Sequence, residues 1–353
     1  MSAGRSLAHI GPMEGTRRQS RRLPWRRAGI GLAILACSHA AAAGEGGLPA
    51  IAAIGHFYVA GREVSHGAPG APIETGQVYV HYVRLARPRL PVPLLLIPGG
   101  SLSGAAYETT PDGRPGWQSD FLAMGYSVLV ADSGQAGRTP PAPPAAGDAP
   151  PAIRDKAFLW ETFRIGPPGS WRADPAARRP YPAGRFPVAG FDAFARQVFP
   201  RYRPPLDEEV ARTAALYDRA CPCVVVAHSA AGPIAERAAL LRPDRVAALV
   251  LVEPSGGIGL SPDQAARLRA IPHLYLWGDH VDQDAGWRDQ YAGAARDFAM
   301  LRSAGGASSS AWIDLPRQGV AGNSHMLMMD DNSRAVARRV ARWIARRGID
   351  RPR

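Results

Sequence analysis

The sequence has 353 residues, of which 46% are apolar and 20% charged, so the chain can bury a substantial core. This length suits one α/β domain with an insertion. The net charge is +12, but residues 1–43 contribute +6 of it, seven arginines against Glu14. The other basic residues are scattered, as Arg338, Arg342 and Arg346 are along the predicted last helix. That pattern indicates a solvated helix face and argues against nucleic-acid binding.

The amino-terminal segment has the three parts of a secretory signal peptide. A basic run ends at Arg26-Arg27, an apolar stretch follows from Ala28 to Ala36, and small residues fill Ala40–Ala43 before Gly44. An apolar stretch of this length is too short to span a hydrocarbon core of ~30 Å, so we expect no transmembrane anchor. We therefore predict that residues 1–43 are a signal peptide, that residues 44–353 are the mature domain, and that the protein is exported to the periplasm or secreted.

The three cysteines and the leading arginines leave several questions open. Ile34-Leu35-Ala36-Cys37 resembles a lipobox, whose cysteine would carry a lipid anchor. The pairs Arg17-Arg18 and Arg21-Arg22 leave the choice between the general and the twin-arginine export route open. Cys221 and Cys223 precede an apolar run, and export would permit a disulfide between them. Two unpaired, semi-buried cysteines fit the sequence equally well.

Alternating and apolar runs predict the strands. The runs His56–Val64 and Gln77–Arg84 alternate and predict antiparallel strands joined through the Gly/Pro-rich segment around Gly67–Pro72. Six later runs are continuously apolar, as in a sheet covered on both faces: Pro93–Ile97, Tyr126–Ala131, Cys223–Ala227, Val246–Val252, His273–Trp277 and Ala311–Leu315.

Helical stretches alternate with the later strands, which predicts βαβ units and a mainly parallel central sheet flanked by helices. They are Glu208–Arg219, Ala230–Leu241, Trp287–Ser303 and Ala335–Arg346. Residues 133–205 interrupt this order with a segment rich in proline, glycine and arginine. A structureless loop of that length is unusual in a compact domain unless it is functional, so we predict a cap insertion over one end of the sheet.

Ser229 is the candidate nucleophile. It follows the run Val224–His228, has Ala227 and Ala231 two places to either side, and stands where a helix begins. This arrangement is typical of the nucleophile elbow of the α/β-hydrolase fold, normally G-x-S-x-G, with alanine here in place of both glycines. A serine at an ordinary strand-to-helix turn is the alternative.

A base and an acid are needed to activate such a hydroxyl. His325 lies between the last predicted strand and the last helix, where this fold places its histidine. The acid must reach the far ring nitrogen. Glu253 follows one strand, while Asp279 and Asp282 follow the next, in the position that is commoner in the fold; position alone favours Asp282.

Backbone amides must hold the oxyanion that forms on attack. The amide after the nucleophile, Ala230, is one candidate, and Gly100 in the turn Pro98-Gly99-Gly100-Ser101 is the other. The same turn lacks the Gly-Lys of a phosphate loop, and no G-x-G-x-x-G follows the first core strand. Dispersed histidines do not form a zinc cluster, so we expect no cofactor and no metal.

Several segments together resemble one family, the bacterial secreted esterases typified by esterase 713. The specific ones are Glu108-Thr109-Thr110-Pro111-Asp112-Gly113-Arg114 and Gly322-Asn323-Ser324-His325-Met326, and segments generic to the fold include Val252-Glu253-Pro254 and Gly278-Asp279-His280. The resemblance spans about residues 90–345. It implies an α/β-hydrolase core with a cap, ester hydrolysis without a cofactor, and a triad of Ser229, Glu253 and His325. Asp279 and Asp282 then become structural.

Two departures concern the oxyanion turn. The family has adjacent cysteines where this chain has Gly100-Ser101, and histidine where it has Pro98. The family's disulfide at that turn therefore cannot form here. Taken together, the motifs and the resemblance predict a serine carboxylesterase that acts on small esters. The alternatives are amide, lactone or perhydrolysis chemistry on the same site, and a non-catalytic exported binding protein. A homodimer stays open, because no matched residue carries it over.

Overall fold

The computed structural model describes residues 49–65, 70–132, 136–139, 149–306 and 310–349. The predicted signal peptide, with Cys37, lies outside the described residues, as do residues 133–135 and 140–148 of the predicted insertion. Statements below about what is absent concern the described residues alone.

An eight-stranded sheet organises the described part of the chain, in the order β1-β2-β4-β3-β5-β6-β7-β8. The strands are β1 (Ile51–Ser65), β2 (Pro72–Leu85), β3 (Leu94–Ile97), β4 (Val128–Asp132), β5 (Cys223–His228), β6 (Val246–Val252), β7 (His273–Trp277) and β8 (Ala311–Asp314). β1 pairs antiparallel with β2, and β2 pairs antiparallel with β4. The pairs from β4 to β8 are parallel, so the carboxyl ends of those strands meet at one edge.

Helices cover both faces of this sheet. They are α1 (Ala105–Glu108), α2 (Trp117–Ala123), α3 (Lys156–Thr162), α4 (Phe191–Ala195), α5 (Leu206–Ala220), α6 (Ala231–Leu241), α7 (Pro262–Leu268), α8 (Ala285–Ser303) and α9 (Ser333–Ala345). Short 3₁₀ turns lie at Pro175–Ala177, Val188–Gly190, Pro243–Arg245, Val281–Gln283 and Pro316–Gln318.

The core has two layers because successive side chains of a strand point to opposite faces. Leu94 and Leu96 of β3 pack with residues of α1–α4 and α9, whereas Leu95 and Ile97 pack with residues of α5–α8. The continuous apolar runs of the sequence follow directly from this double cover.

The predicted α/β-hydrolase fold is confirmed, with a mainly parallel sheet and antiparallel strands at its amino-terminal edge. β6 and β7 have the predicted bounds, and the other predicted strands and helices differ by a few residues at their ends. Several short helices were not predicted, among them α2, α3 and α7. Arg338 and Arg342 on α9, and Arg346 directly after it, are exposed, as expected.

Two further features answer questions raised by the sequence. Cys221 and Cys223 form a disulfide immediately before β5. Among the described residues, none of the helices combines the length and the apolar character that crossing a membrane requires.

Candidate active site

Ser229 stands on a sharp turn between β5 and α6. Its φ is +53°, a conformation that side chains other than glycine rarely adopt, and its N–H donates to the carbonyl of Val252 at 2.9 Å. The helix after the turn packs closely on the residues that follow β6, since a Cβ on Gly232 would lie 2.8 Å from the Cβ of Pro254. Small residues are therefore needed here, although the glycine that the fit requires is one place beyond the usual motif position.

His325 faces the Ser229 hydroxyl. It lies in the loop between β8 and α9, and its Nε2 is 2.9 Å from the Ser229 Oγ. The His325 main chain is held from two sides, because its N–H donates to the Phe163 carbonyl at 2.9 Å and its carbonyl lies 3.0 Å from the His228 Nε2. The indole of Trp287 packs against the imidazole with ring centroids 4.4 Å apart. These contacts fix the ring on the hydroxyl.

Glu253 contacts the other side of the same imidazole. It follows β6 with φ at +52°, and its Oε2 lies 3.1 Å from the His325 Nδ1. The other carboxyl oxygen, Oε1, accepts the Gly278 N–H. Since the Glu253 side chain is fully buried, these bonds replace the water that a carboxylate would otherwise bind.

Arg164 adds a buried cation to this arrangement. Its Nη2 donates to the Glu253 Oε2 at 2.6 Å, its Nε donates to the Asp279 carbonyl at 2.7 Å, and its guanidinium stacks 4.6 Å from the centroid of Trp287. Arg164 is only 2% exposed and has φ at +55°, so the fold holds it in one position. The site is thus a chain of four groups, from guanidinium to carboxylate to imidazole to hydroxyl.

Burial and charge set the protonation of this chain. Burial lowers the pKa of His325 well below its ordinary value, and the Arg164 charge lowers it further. The imidazole is therefore neutral at neutral pH, as a base must be. Burial raises the pKa of Glu253, while the Arg164 guanidinium acts in the opposite direction and favours the carboxylate.

The two aspartates considered as acids lie elsewhere. Asp279 accepts the Gly322 N–H at 2.7 Å through its Oδ2 and the His280 N–H at 2.7 Å through its Oδ1. It therefore joins the loop after β7 to the loop that carries His325. Asp282 is exposed, and the structure brings neither aspartate to the imidazole, whose ion-pair partner among the described residues is Glu253.

The two candidate oxyanion donors line one cleft. Gly100 lies in the turn after β3 and Ala230 at the start of α6, and both border this cleft. A Cβ on the neighbouring Gly99 would lie 2.8 Å from the Cβ of Ser229, so the turn approaches the nucleophile as closely as glycine permits. The backbone can thus reach a carbonyl attached to Ser229.

Sequence reasoning missed several residues of the site. Arg164 is the most important, followed by Gly278, Trp287 and Ser255, whose Oγ lies 3.3 Å from the Ser229 Oγ. Gly278 had a usable signal, because it directly follows β7, and β7 pairs with β6, the strand that precedes Glu253. Arg164 had none, since nothing distinguishes it from the other arginines of residues 133–205. Within the described part of the chain, no cluster of histidine, cysteine or carboxylate side chains could hold a metal ion.

The fold and this geometry define the class of protein: an α/β-hydrolase with a serine, histidine and carboxylate in hydrogen-bonded order. The chain is 28% identical over 341 residues to the probable secreted lipase phiG of a fungal species (strain ATCC 74256), covering 81% of this chain and 90% of the lipase. It superimposes on a bacterial esterase solved at atomic resolution with a TM-score of 0.76 and 29% identity, covering 85% of this chain and 98% of that one. No protein-family model matches the chain. Both relatives are named as hydrolytic enzymes, and the prediction of a serine hydrolase is confirmed.

Proposed function

We propose that the protein is an exported serine carboxylesterase that hydrolyses small carboxylic esters through an acyl-enzyme, with Ser229 as nucleophile, His325 as base and Glu253 as acid. The main observation in support is the position of the His325 ring, whose Nε2 lies 2.9 Å from the Ser229 Oγ and whose Nδ1 lies 3.1 Å from the Glu253 Oε2. One imidazole can therefore take a proton from the hydroxyl while the carboxylate holds its tautomer. Relatives named lipase and esterase agree with ester hydrolysis.

The reaction follows in two steps. The Ser229 Oγ bonds to the ester carbonyl carbon as its proton passes to the His325 Nε2, and the amides of Gly100 and Ala230 bind the oxygen that gains charge. The tetrahedral species collapses, and His325 returns the proton to the departing alcohol. Water then attacks the acyl-enzyme, gives its proton to His325, and Ser229 is released with that proton as the acid leaves.

Export rests on the amino-terminal sequence and on the relative named a secreted lipase. We assign residues 1–43 to a signal peptide and residues 133–205 to a cap. The cap assignment is supported by Arg164, which lies in that segment and contacts the Glu253 side chain.

The test compares two neighbouring serines. Ser229→Ala is expected to abolish labelling by a fluorophosphonate probe and to lower kcat/KM for p-nitrophenyl butyrate by roughly 10⁴–10⁶-fold, as removal of a triad nucleophile does. Ser255→Ala is the matched control, because its hydroxyl is 3.3 Å from the Ser229 Oγ but has no place in the triad. It should keep both signals within about tenfold of the unaltered enzyme, the loss of one hydrogen bond.

Matched substrates separate ester hydrolysis from the other reactions. The butyrate ester should be cleaved much faster than butyryl p-nitroanilide or a γ-lactone of similar size. Faster cleavage of the anilide or the lactone would replace the proposed reaction by one of those chemistries, and labelling that survives in Ser229→Ala would refute the nucleophile.

A further inference from the structure

The cleft beside the proposed oxyanion donors is also bordered by a charged side chain, that of Arg201. On one side it is bordered by Gly100, Ala230 and Ile234 of the hydrolase core, and on the other by Arg201, which lies in the connection between α4 and α5. The proposed catalytic steps do not use the Arg201 side chain.

The guanidinium of Arg201 lies directly against the oxyanion turn. A Cβ on Gly100 would collide with Nη1 and Cζ of this side chain, while a Cβ on Gly99 would lie 2.8 Å from the Cβ of Ser229. Gly99 therefore lies against the nucleophile and Gly100 against the guanidinium, and the Cα atoms of two consecutive residues are about 3.8 Å apart. An ester whose carbonyl oxygen is held at Gly100 would therefore have its neighbouring groups beside the guanidinium.

Arg201 is half-buried and differs in its partners from the buried arginines Arg164 and Arg178. Arg164 pairs with Glu253 at 2.6 Å and Arg178 with Asp192 at 3.0 Å. Among the described residues, the Arg201 side chain forms neither a hydrogen bond nor an ion pair within 4.0 Å, although burial lowers its pKa. An arginine remains charged at neutral pH even so, and this half-buried cation has no close counter-ion among the described residues.

Arg201 and Glu209 are the charged residues that line this cleft among the described residues. Glu209 borders the same cleft, but it does not come within ion-pair distance of Arg201, and burial raises the pKa of its carboxyl. The opposite charge of Glu209 acts on Arg201 more strongly than the like charges of Arg203 and Arg154, neither of which lines the cleft. Since Glu209 does not contact Arg201 and its carboxyl ionises less readily than usual, a substrate anion beside Arg201 would meet little negative charge in the cleft.

We propose that Arg201 is a specificity-determining residue that binds a carboxylate carried by the ester substrate. The inference rests on the proposed function, and it names the substrate class as esters with an anionic group near the scissile carbonyl, of which half-esters of dicarboxylic acids are the simplest. A planar guanidinium can hold such a carboxylate through two parallel hydrogen bonds. The charge that the cleft leaves unpaired is then neutralised by the substrate.

The experiment uses two esters of equal length, p-nitrophenyl hydrogen glutarate and p-nitrophenyl valerate. Arg201→Gln should lower kcat/KM for the glutarate half-ester by about 10- to 100-fold, the loss of one charge-assisted pair, and that for the valerate by less than about threefold. Arg203→Gln removes the same charge from an exposed side chain two residues away and should change the ratio of the two esters by less than about threefold. Arg201→Lys keeps the charge without the bidentate geometry and should give an intermediate ratio.

The rate of fluorophosphonate labelling shows whether each variant keeps its triad. If Arg201→Gln is not labelled, Arg201→Lys is compared with the unaltered enzyme instead. An equal ratio of kcat/KM for the two esters in these two proteins would refute the role of the guanidinium. Equal losses for both esters in Arg201→Gln would make Arg201 a support of the oxyanion turn and overturn the proposal, as would a ratio unchanged from the unaltered enzyme. Cleavage of neither ester by the unaltered enzyme would refute the proposed function itself, whereas cleavage of the valerate with an unchanged ratio refutes only the carboxylate site.

Discussion

Two buried glutamates in this molecule each lie beside a buried histidine, and only one pair is built for catalysis. Glu253 is 3.1 Å from the His325 Nδ1 at the carboxyl ends of the parallel strands. Glu236, on α6, is 3.9 Å from the Nε2 of His273, at the start of β7. Both glutamates are at most 1% exposed, so burial alone does not distinguish them.

Their neighbours account for the difference. Glu253 has the Arg164 cation at 2.6 Å and the Gly278 N–H, which favour a carboxylate. Glu236 accepts the Tyr275 hydroxyl at 2.9 Å, and its neighbour His273 is neutral at neutral pH because burial lowers the pKa of that imidazole to about 4. Burial and the charge of Asp297 raise the pKa of Glu236 to about 8. The Glu253–His325 pair thus differs from the Glu236–His273 pair in two respects: a cation beside its carboxyl favours the carboxylate, and the far nitrogen of its imidazole reaches the Ser229 hydroxyl.

The largest expected effect comes from the same substitution in both glutamates. Glu253→Gln should lower kcat/KM for p-nitrophenyl butyrate by about 10²–10⁴-fold, because the amide no longer stabilises the imidazolium formed on attack. Glu236→Gln removes an equally buried carboxyl outside the site and should leave kcat/KM within about threefold, as for a residue that touches neither substrate nor triad. Asp282→Asn should also be nearly silent. A larger loss in Asp282→Asn than in Glu253→Gln would transfer the acid's role to Asp282.

A smaller effect is expected from substitution of Arg164, the cation that is present beside Glu253 and has no counterpart beside Glu236 among the described residues. Arg164→Gln leaves Glu253 buried without its cation and should lower kcat/KM by roughly 10–100-fold. The Arg164 charge lowers the pKa of His325, so its removal raises that pKa and protonates the base at higher pH. The acid limb of the kcat/KM profile should therefore move to higher pH.

Arg178→Gln is the matched control for this change. Arg178 is also buried, and it pairs with Asp192 at 3.0 Å away from the triad. Its variant should lose stability without a shift of the acid limb. A profile that falls equally at every pH in Arg164→Gln would show that Arg164 only supports the fold.

The predictable part of this molecule is the part whose signals are local in sequence. Apolar runs at β5, β6 and β7 define the buried strands, and the small residues around Ser229 mark the turn that follows β5. The role of His325 was predictable from chain order, because His325 is the histidine between the last strand and the last helix. The acid was not fixed by position, and only the resemblance favoured Glu253.

The residues that could not be predicted act through partners distant in sequence. Arg164 lies 89 residues before Glu253, in a segment whose many arginines look alike until the fold brings one of them to a carboxylate. Arg201 is in the same situation, because its position against Gly100 depends on how the connection to α5 crosses the oxyanion turn. Short helices such as α3 escaped prediction because their apolar faces are only one or two turns long.

The smallest expected effect concerns stability, and it tests the other member of the comparison. The pKa of Glu236 is raised from its ordinary 4.5 to about 8 in the folded protein. Between these values the unfolded chain releases a proton that the folded chain retains, so this group's contribution to stability, complete below pH 4.5, is lost as pH rises towards 8. The slope from one such proton is at most about 1.4 kcal/mol per pH unit. Glu236→Gln cannot ionise, so in urea unfolding its stability relative to the unaltered protein should increase steadily from pH 5 to pH 8, and a constant difference between the two proteins would show that Glu236 is already ionised in the fold.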